Sequence, residues 1–138
     1  MREPLIPAAQ VFKRYLPPTQ NWIYEQFRVL RHFRPVVLAH KAPDLEQFPV
    51  DRVVAVRSGS PLRQVRDYLC RRLQGYYPSF AAAVRAEKAV LLHAHFGHSG
   101  VASVDLARIL SSDIALAGRV MKLANSAYFG MRGRVTSL

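Results

Sequence analysis

The chain predicts an open α/β fold: a partial parallel sheet with helices on its faces, followed by a short all-helical C-terminal segment. Three observations carry this. Short all-apolar runs, Val36-Val37-Leu38-Ala39, Val53-Val54-Ala55-Val56 and Ala89 to Phe96, are bounded by polar or turn residues, as strands covered on both faces are. Stretches with helical spacing stand between most of them, the alternation that builds parallel sheets. Beyond Val101 the apolar pattern is helical without interruption.

In chain order, Pro7 to Leu16 is a weak extended run, ended by a turn at Pro17-Pro18. Thr19 or Asn21 can cap a helix reaching about Phe33, with Ile23, Phe27 and Leu30 on one buried face. The strands at Val36 and Val53 follow, separated by a loop punctuated by Pro43 and Pro49. Ser60-Pro61 starts a helix that Gly75 stops, and Leu62, Val65, Leu69 and Leu73 are expected to form its buried face. Ser79 can cap a helix through Lys88, before the third strand and a turn at Gly97-His98-Ser99-Gly100. Ser103 can then cap a helix to Leu110, and Ser111-Ser112-Asp113 separates it from another over Ile114 to Ala124.

At 138 residues, the chain has material for one compact domain but not for two complete ones. No apolar run approaches the roughly 20 residues that cross a bilayer, and the N-terminus lacks a secretory apolar core. A cytoplasmic protein is expected, with an inner-membrane periphery as one place for it. The single cysteine, Cys70, forms no internal disulfide and reads as packing. A net charge of +11 favours polyanions or anionic lipid. Both stretches are basic, with 15 basic and 7 acidic residues before Val101 and 5 and 2 from there on, so charge alone locates no site.

Ligands of open parallel sheets bind beyond the carboxyl ends of the strands, which points to the turn from Phe96 to Gly100. His93 and His95, at i and i+2, point the same way on a strand, but no neighbouring carboxylate or thiol completes a metal site, so none is expected. His95, at the strand end, is the best candidate to contact an acceptor hydroxyl, and a histidine satisfied by its neighbours is the plain alternative. Gly97 to Gly100 could cradle a phosphate if a helix starts there; a plain turn is preferred. Arg28, Arg31 and Arg34 on one helix, with Arg63, Arg66, Arg71 and Arg72 on another, form basic sides suited to an anionic membrane.

The run Leu91-Leu92-His93-Ala94-His95-Phe96-Gly97 resembles the strand and turn of the acceptor-side domain of family 4 glycosyltransferases, enzymes with two Rossmann-like domains. Thr19-Gln20-Asn21-Trp22-Ile23-Tyr24-Glu25-Gln26 is similar to the first-loop helix start of that family. Arg34 to Ala39 is similar to its second strand, and Gly75-Tyr76-Tyr77-Pro78 to a linker in some members. The resemblance covers residues 1–101. It implies a partial Rossmann-like sheet, a lipid-linked or glycan acceptor, and acceptor contacts from Thr19, His93, His95, Gly97 and Ser99. The paired-glutamate helix that holds the nucleotide-sugar donor has no counterpart here, so no catalytic residue is assigned, no cofactor is expected, and the isolated chain is expected to be inactive.

Residues 102–138 carry a second likeness. Asp105 to Leu116, followed by Val120-Met121-Lys122-Leu123-Ala124-Asn125-Ser126-Ala127-Tyr128-Phe129-Gly130, resembles the opening of HDOD domains, helical modules of bacterial signalling proteins. Ile114 stands where that family usually has proline. The resemblance implies a regulatory segment able to meet a protein partner, without the metal ligands of hydrolase relatives. A non-catalytic HDOD-type regulator is therefore one alternative to the transferase reading. A helix-turn-helix nucleic-acid reader over Leu106 to Leu123, with Arg119 and Lys122 on its second helix, is another.

Overall fold

A computed structural model describes residues 5–112, with the backbone alone at positions 97, 98, 101 and 102. Four strands form one all-parallel sheet in the order β3-β2-β1-β4, where β1 is Ile6–Arg14, β2 Phe33–Lys41, β3 Val53–Ala55 and β4 Leu91–Ala94. The helices are α1 (Asn21–Arg28), α2 (Pro61–Gln74), α3 (Pro78–Glu87) and α4 (Gly97–Ser111). This is the expected α/β layer with helices on both faces. The extended run near the N-terminus is one of its two inner strands, in register with β2 at Ala9 against Val36 and with β4 at Ala9 against Leu92.

Strand alternation divides the core in two. Ala9, Val11, Val36 and Leu38 pack on one face beneath Phe80, Ala83 and Val84 of α3 and Leu106 and Leu110 of α4. Phe12, Val37 and Ala39 pack on the other beneath Ile23 and Phe27 of α1, with Phe48 from the loop between β2 and β3. The all-apolar strand runs follow directly, because each face is covered.

Helix ends match the sequence best at α2. Ser60 Oγ accepts from the Arg63 backbone N–H, Pro61 occupies the first turn, and Gly75 closes the helix at φ 85°. A Cβ at Gly75 would also collide with the Asp105 carboxylate of α4, so this glycine serves both backbone geometry and close approach.

Several expectations need correction. Helix α1 ends at Arg28, not near Phe33, because Phe33 already opens the nine-residue strand β2; Gln20 occupies its cap position without a side-chain cap bond. Ser79 lies inside the first turn of α3, whose cap position is Tyr77. The third strand is shorter than Ala89 to Phe96, and its Leu91 is exposed at the sheet edge. Helix α4 starts at Gly97, so Ser103 caps nothing and instead donates from Oγ to the Ser99 carbonyl at 2.8 Å.

The largest correction concerns α2. Leu62 and Leu73 are 83% and 81% exposed, and Val65 and Leu69 are exposed with them. The side chain turned inward is Asp67, fully buried. One Asp67 oxygen accepts from the Ser79 N–H at 3.1 Å and from Arg66 at 3.4 Å, so a carboxylate faces the N-terminal end of α3. Polar docking, rather than apolar packing, sets which side of this helix faces the protein.

The boundary expected between residues 101 and 102 falls within α4, which runs unbroken across it and buries Leu106 and Leu110 in the sheet core. The expected helix over Ile114 to Ala124 and the stretch Leu123 to Ala127 lie outside the described residues.

Candidate functional site: a crevice at the carboxyl ends of the strands

Strand β1 leads to β2 on one side, whereas β4 joins on the other, so the sheet changes direction between β1 and β4. Helices α1 and α4, which follow those two strands, lie on opposite faces. Chain segments therefore part at the carboxyl ends of β1 and β4 and leave room for a ligand. Beside this point, at the carboxyl ends of β1 and β2 and the start of α4, opens a crevice of about 280 Å³, lined by Val11, Lys13, His40, Arg71, Tyr77 and Ser99, with Phe12 and Phe80 beside them.

Each lining residue has a structural reason for its place. Val36, Leu38 and His40 share the α3 face of β2, so His40 emerges where the buried run ends. Tyr77, at the cap of α3, meets it: the Tyr77 hydroxyl lies 3.3 Å from His40 Nδ1. Burial lowers the His40 pKa, and the cations Arg57, Lys41 and Lys13 lower it further, so the imidazole is neutral at pH 7. Burial raises the Tyr77 pKa, opposed by the nearby Arg71 guanidinium. Arg71, in the last turn of α2, donates to the Gly75 carbonyl at 2.8 Å and is held against the crevice. Ser99 is buried in the first turn of α4.

The crevice thus combines two cations, Lys13 and Arg71, with two hydroxyls and a neutral imidazole over an apolar floor. Such a surface can hold an anionic or hydroxyl-rich ligand and orient a hydroxyl. Among the described residues, no carboxylate lines the crevice. Among the described residues no group of three or more His, Cys, Asp or Glu side chains could hold a metal ion.

Of the candidates from sequence, Ser99 lines this crevice. His95 lies on the α1 face, 7% exposed, stacked on Phe12 with ring centroids 4.3 Å apart and planes 5° apart. Its Nε2 is 2.9 Å from Gln10 Oε1, a contact that the tautomer protonated on Nε2 satisfies. Burial depresses its pKa to about 4, with a smaller push from His93. The His93 and His95 rings do lie together, with centroids 4.3 Å apart, but His93 is exposed. Thr19 is exposed in a 3₁₀ turn, Pro18–Gln20. Gly97 opens α4, so a helix does begin at the Gly97 to Gly100 turn; the preceding Phe96 is held at φ 71° and ψ 159°. That left-handed backbone in a non-glycine residue stores strain at the strand-to-helix corner.

The arginines of the two expected basic sides lie on different parts of the fold. Arg28 pairs with Glu25 on α1, on one face of the sheet, and Arg34 at the start of β2 pairs with Glu87 at 2.8 Å. Arg63 and Arg66 lie on α2, beside α3 over the other face, and both approach Asp67. Arg31 is exposed and has no ionic partner among the described residues.

Sequence reasoning missed Lys13, His40, Arg71 and Tyr77. They come from four separate elements and form no local motif. The detectable clue was alternation along β2, which places residue 40 on the same face as residues 36 and 38 at the carboxyl end.

Comparison with known proteins adds one likeness. Residues 86–138 match the model of the HDOD domain. The match begins at the end of α3 and takes in β4 and α4, so its described part is built into the α/β layer. Neither the curated proteins nor the solved structures contain a match to the chain. No helix among the described residues is long and apolar enough to cross a membrane.

Proposed function

We propose that this α/β layer is an acceptor-side binding module of glycosyltransferase type, joined to an HDOD-like segment that works in signalling, and that the chain alone catalyses no transfer. The observation that carries this reading is the crevice beside the sheet's change of direction, where Lys13, Arg71, Tyr77 and Ser99 present charge and hydroxyl contacts. Lys13 and Arg71 would bind a phosphate-bearing acceptor, and the neutral His40, paired with Tyr77, would orient an acceptor hydroxyl. Turnover would need a donor-binding partner domain. The nucleotide sugar belongs to that complete enzyme.

Calorimetry with hexose phosphates and the corresponding free hexoses tests the binding. Hexose phosphate binding that falls at least tenfold in a Lys13→Ala, Arg71→Ala variant supports the reading, and binding unaffected by those changes defeats it. Sugar-nucleotide turnover by the purified chain would overturn the inactive assignment.

A second reading, a regulator without any transferase role, is favoured by the HDOD match over residues 86–138. It shares the prediction of no turnover, and predicts no saccharide binding at the crevice.

A further inference from the structure

We propose that α2 is an interfacial docking helix that lays its apolar side on an anionic bilayer. This goes beyond the crevice and does not depend on what the crevice binds. At 3.6 residues per turn, Leu62, Val65, Leu69 and Leu73 fall within an arc of about 80°, roughly opposite Asp67. All four are exposed, as is Tyr68 at the margin of the arc. Buried Asp67 fixes this orientation, because its carboxylate faces the α3 N-terminus; rotating α2 to hide the leucines would expel it. The outward leucines are therefore a built feature of the helix seat.

Shape and charge select the occupant. Leu62 and Leu73 stand about 16 Å apart along a convex helix, a line that suits a flat surface better than a cleft. Arg66 borders the arc, Arg72 projects from the same side, and Arg57 lies exposed beside the helix. Arg72 has no acidic partner among the described residues. An apolar stripe bordered by arginines is the pattern of a helix lying in the headgroup layer of anionic lipid. A second copy would oppose arginine to arginine, in a chain already carrying +11.

Val65, Tyr68 and Leu69 also wall a second groove, of about 280 Å³, that reaches His40 and Tyr77. A docked α2 would thus hold the crevice close to the lipid surface.

The test is flotation of the full chain with vesicles of neutral phosphatidylcholine, with and without anionic phosphatidylglycerol. Binding is expected with the anionic vesicles only. It should fall at least tenfold in a Leu62→Ser, Leu73→Ser variant and several-fold in Arg72→Glu, while Arg31→Glu, remote from α2, binds as the parent does. Both leucines are exposed, so the double variant should keep the parent's urea midpoint. The emission of Trp22, on α1 over the opposite sheet face, should not shift to the blue on binding. Three results would overturn the proposal. One is equal binding by the leucine variant, which is adsorption by charge alone. Another is a blue shift of Trp22. The third is absence of vesicle binding together with a self-association or protein complex lost in the same variant.

Discussion

One carboxylate oxygen of Asp67, on α2, accepts the backbone N–H of Ser79 at 3.1 Å, in the first turn of α3. This bond joins two successive helices through a fully buried charge and decides that the leucines of α2 face outward. Asp67→Ala should destabilise the fold by about 1.5–3 kcal/mol, the range for losing a hydrogen bond to a charged group. Asp67→Asn, which keeps an acceptor, should cost less. Urea unfolding of both variants checks the order.

The inverted seat of α2 predicts an unusual contrast between leucines. Leu62→Ala should change stability by no more than about 0.5 kcal/mol, as at an open surface position. Leu106→Ala, in the core beneath α4, should cost about 2–5 kcal/mol through lost burial and a cavity. Equal effects in urea unfolding would contradict the packing described.

His95 should make stability depend on pH in a defined window. Its folded pKa, about 4, lies below the ordinary 6.5, so the unfolded chain binds a proton that the folded chain refuses. Stability from this group is complete above pH 6.5 and is lost as pH falls toward 4, by at most about 3 kcal/mol. A carbon-bound proton of the His95 ring, followed by NMR, should titrate near pH 4. In His95→Gln the corresponding part of the acid loss should disappear.

Glu87 behaves in the carboxylate sense. The Arg34 hydrogen bond, with the charges of Arg34 and Arg52 beside it, holds its pKa below the ordinary 4.5. Its contribution is therefore present at neutral pH and lost as pH falls through the lowered value. Glu87→Gln should cost about 1 kcal/mol at pH 7. The gap from the parent should close in acid, which urea midpoints across pH 3–7 will reveal.

The fold was legible where local chemistry and global packing agree. Val36 to Ala39 is covered on both faces and contains nothing polar, and the ends of α2 carry Ser60, Pro61 and Gly75, each with its own backbone reason. What failed did so for nonlocal reasons. Periodicity finds the apolar stripe of α2 but not the side on which the protein lies, because that depends on Asp67 meeting an element twelve residues onward. The end of α1 was overrun because the pairing of β2 with β1 starts at Phe33, a fact of sheet register. At the site, Ser99 was readable from the turn after β4. Lys13, His40, Arg71 and Tyr77 meet only when the sheet and α2 are assembled. The paired histidines drew attention by spacing, yet His95 is occupied by Gln10 and Phe12.

The proposed ligand site lies at the carboxyl ends of β1 and β2, away from the buried histidine. Backbone amide NMR during titration with a hexose phosphate tests it most directly. Saturable shifts are expected, centred on Lys13, His40, Tyr77 and Ser99, with Gln10 little changed. Shifts centred on Gln10, His93 and His95, with the crevice residues silent, would contradict it.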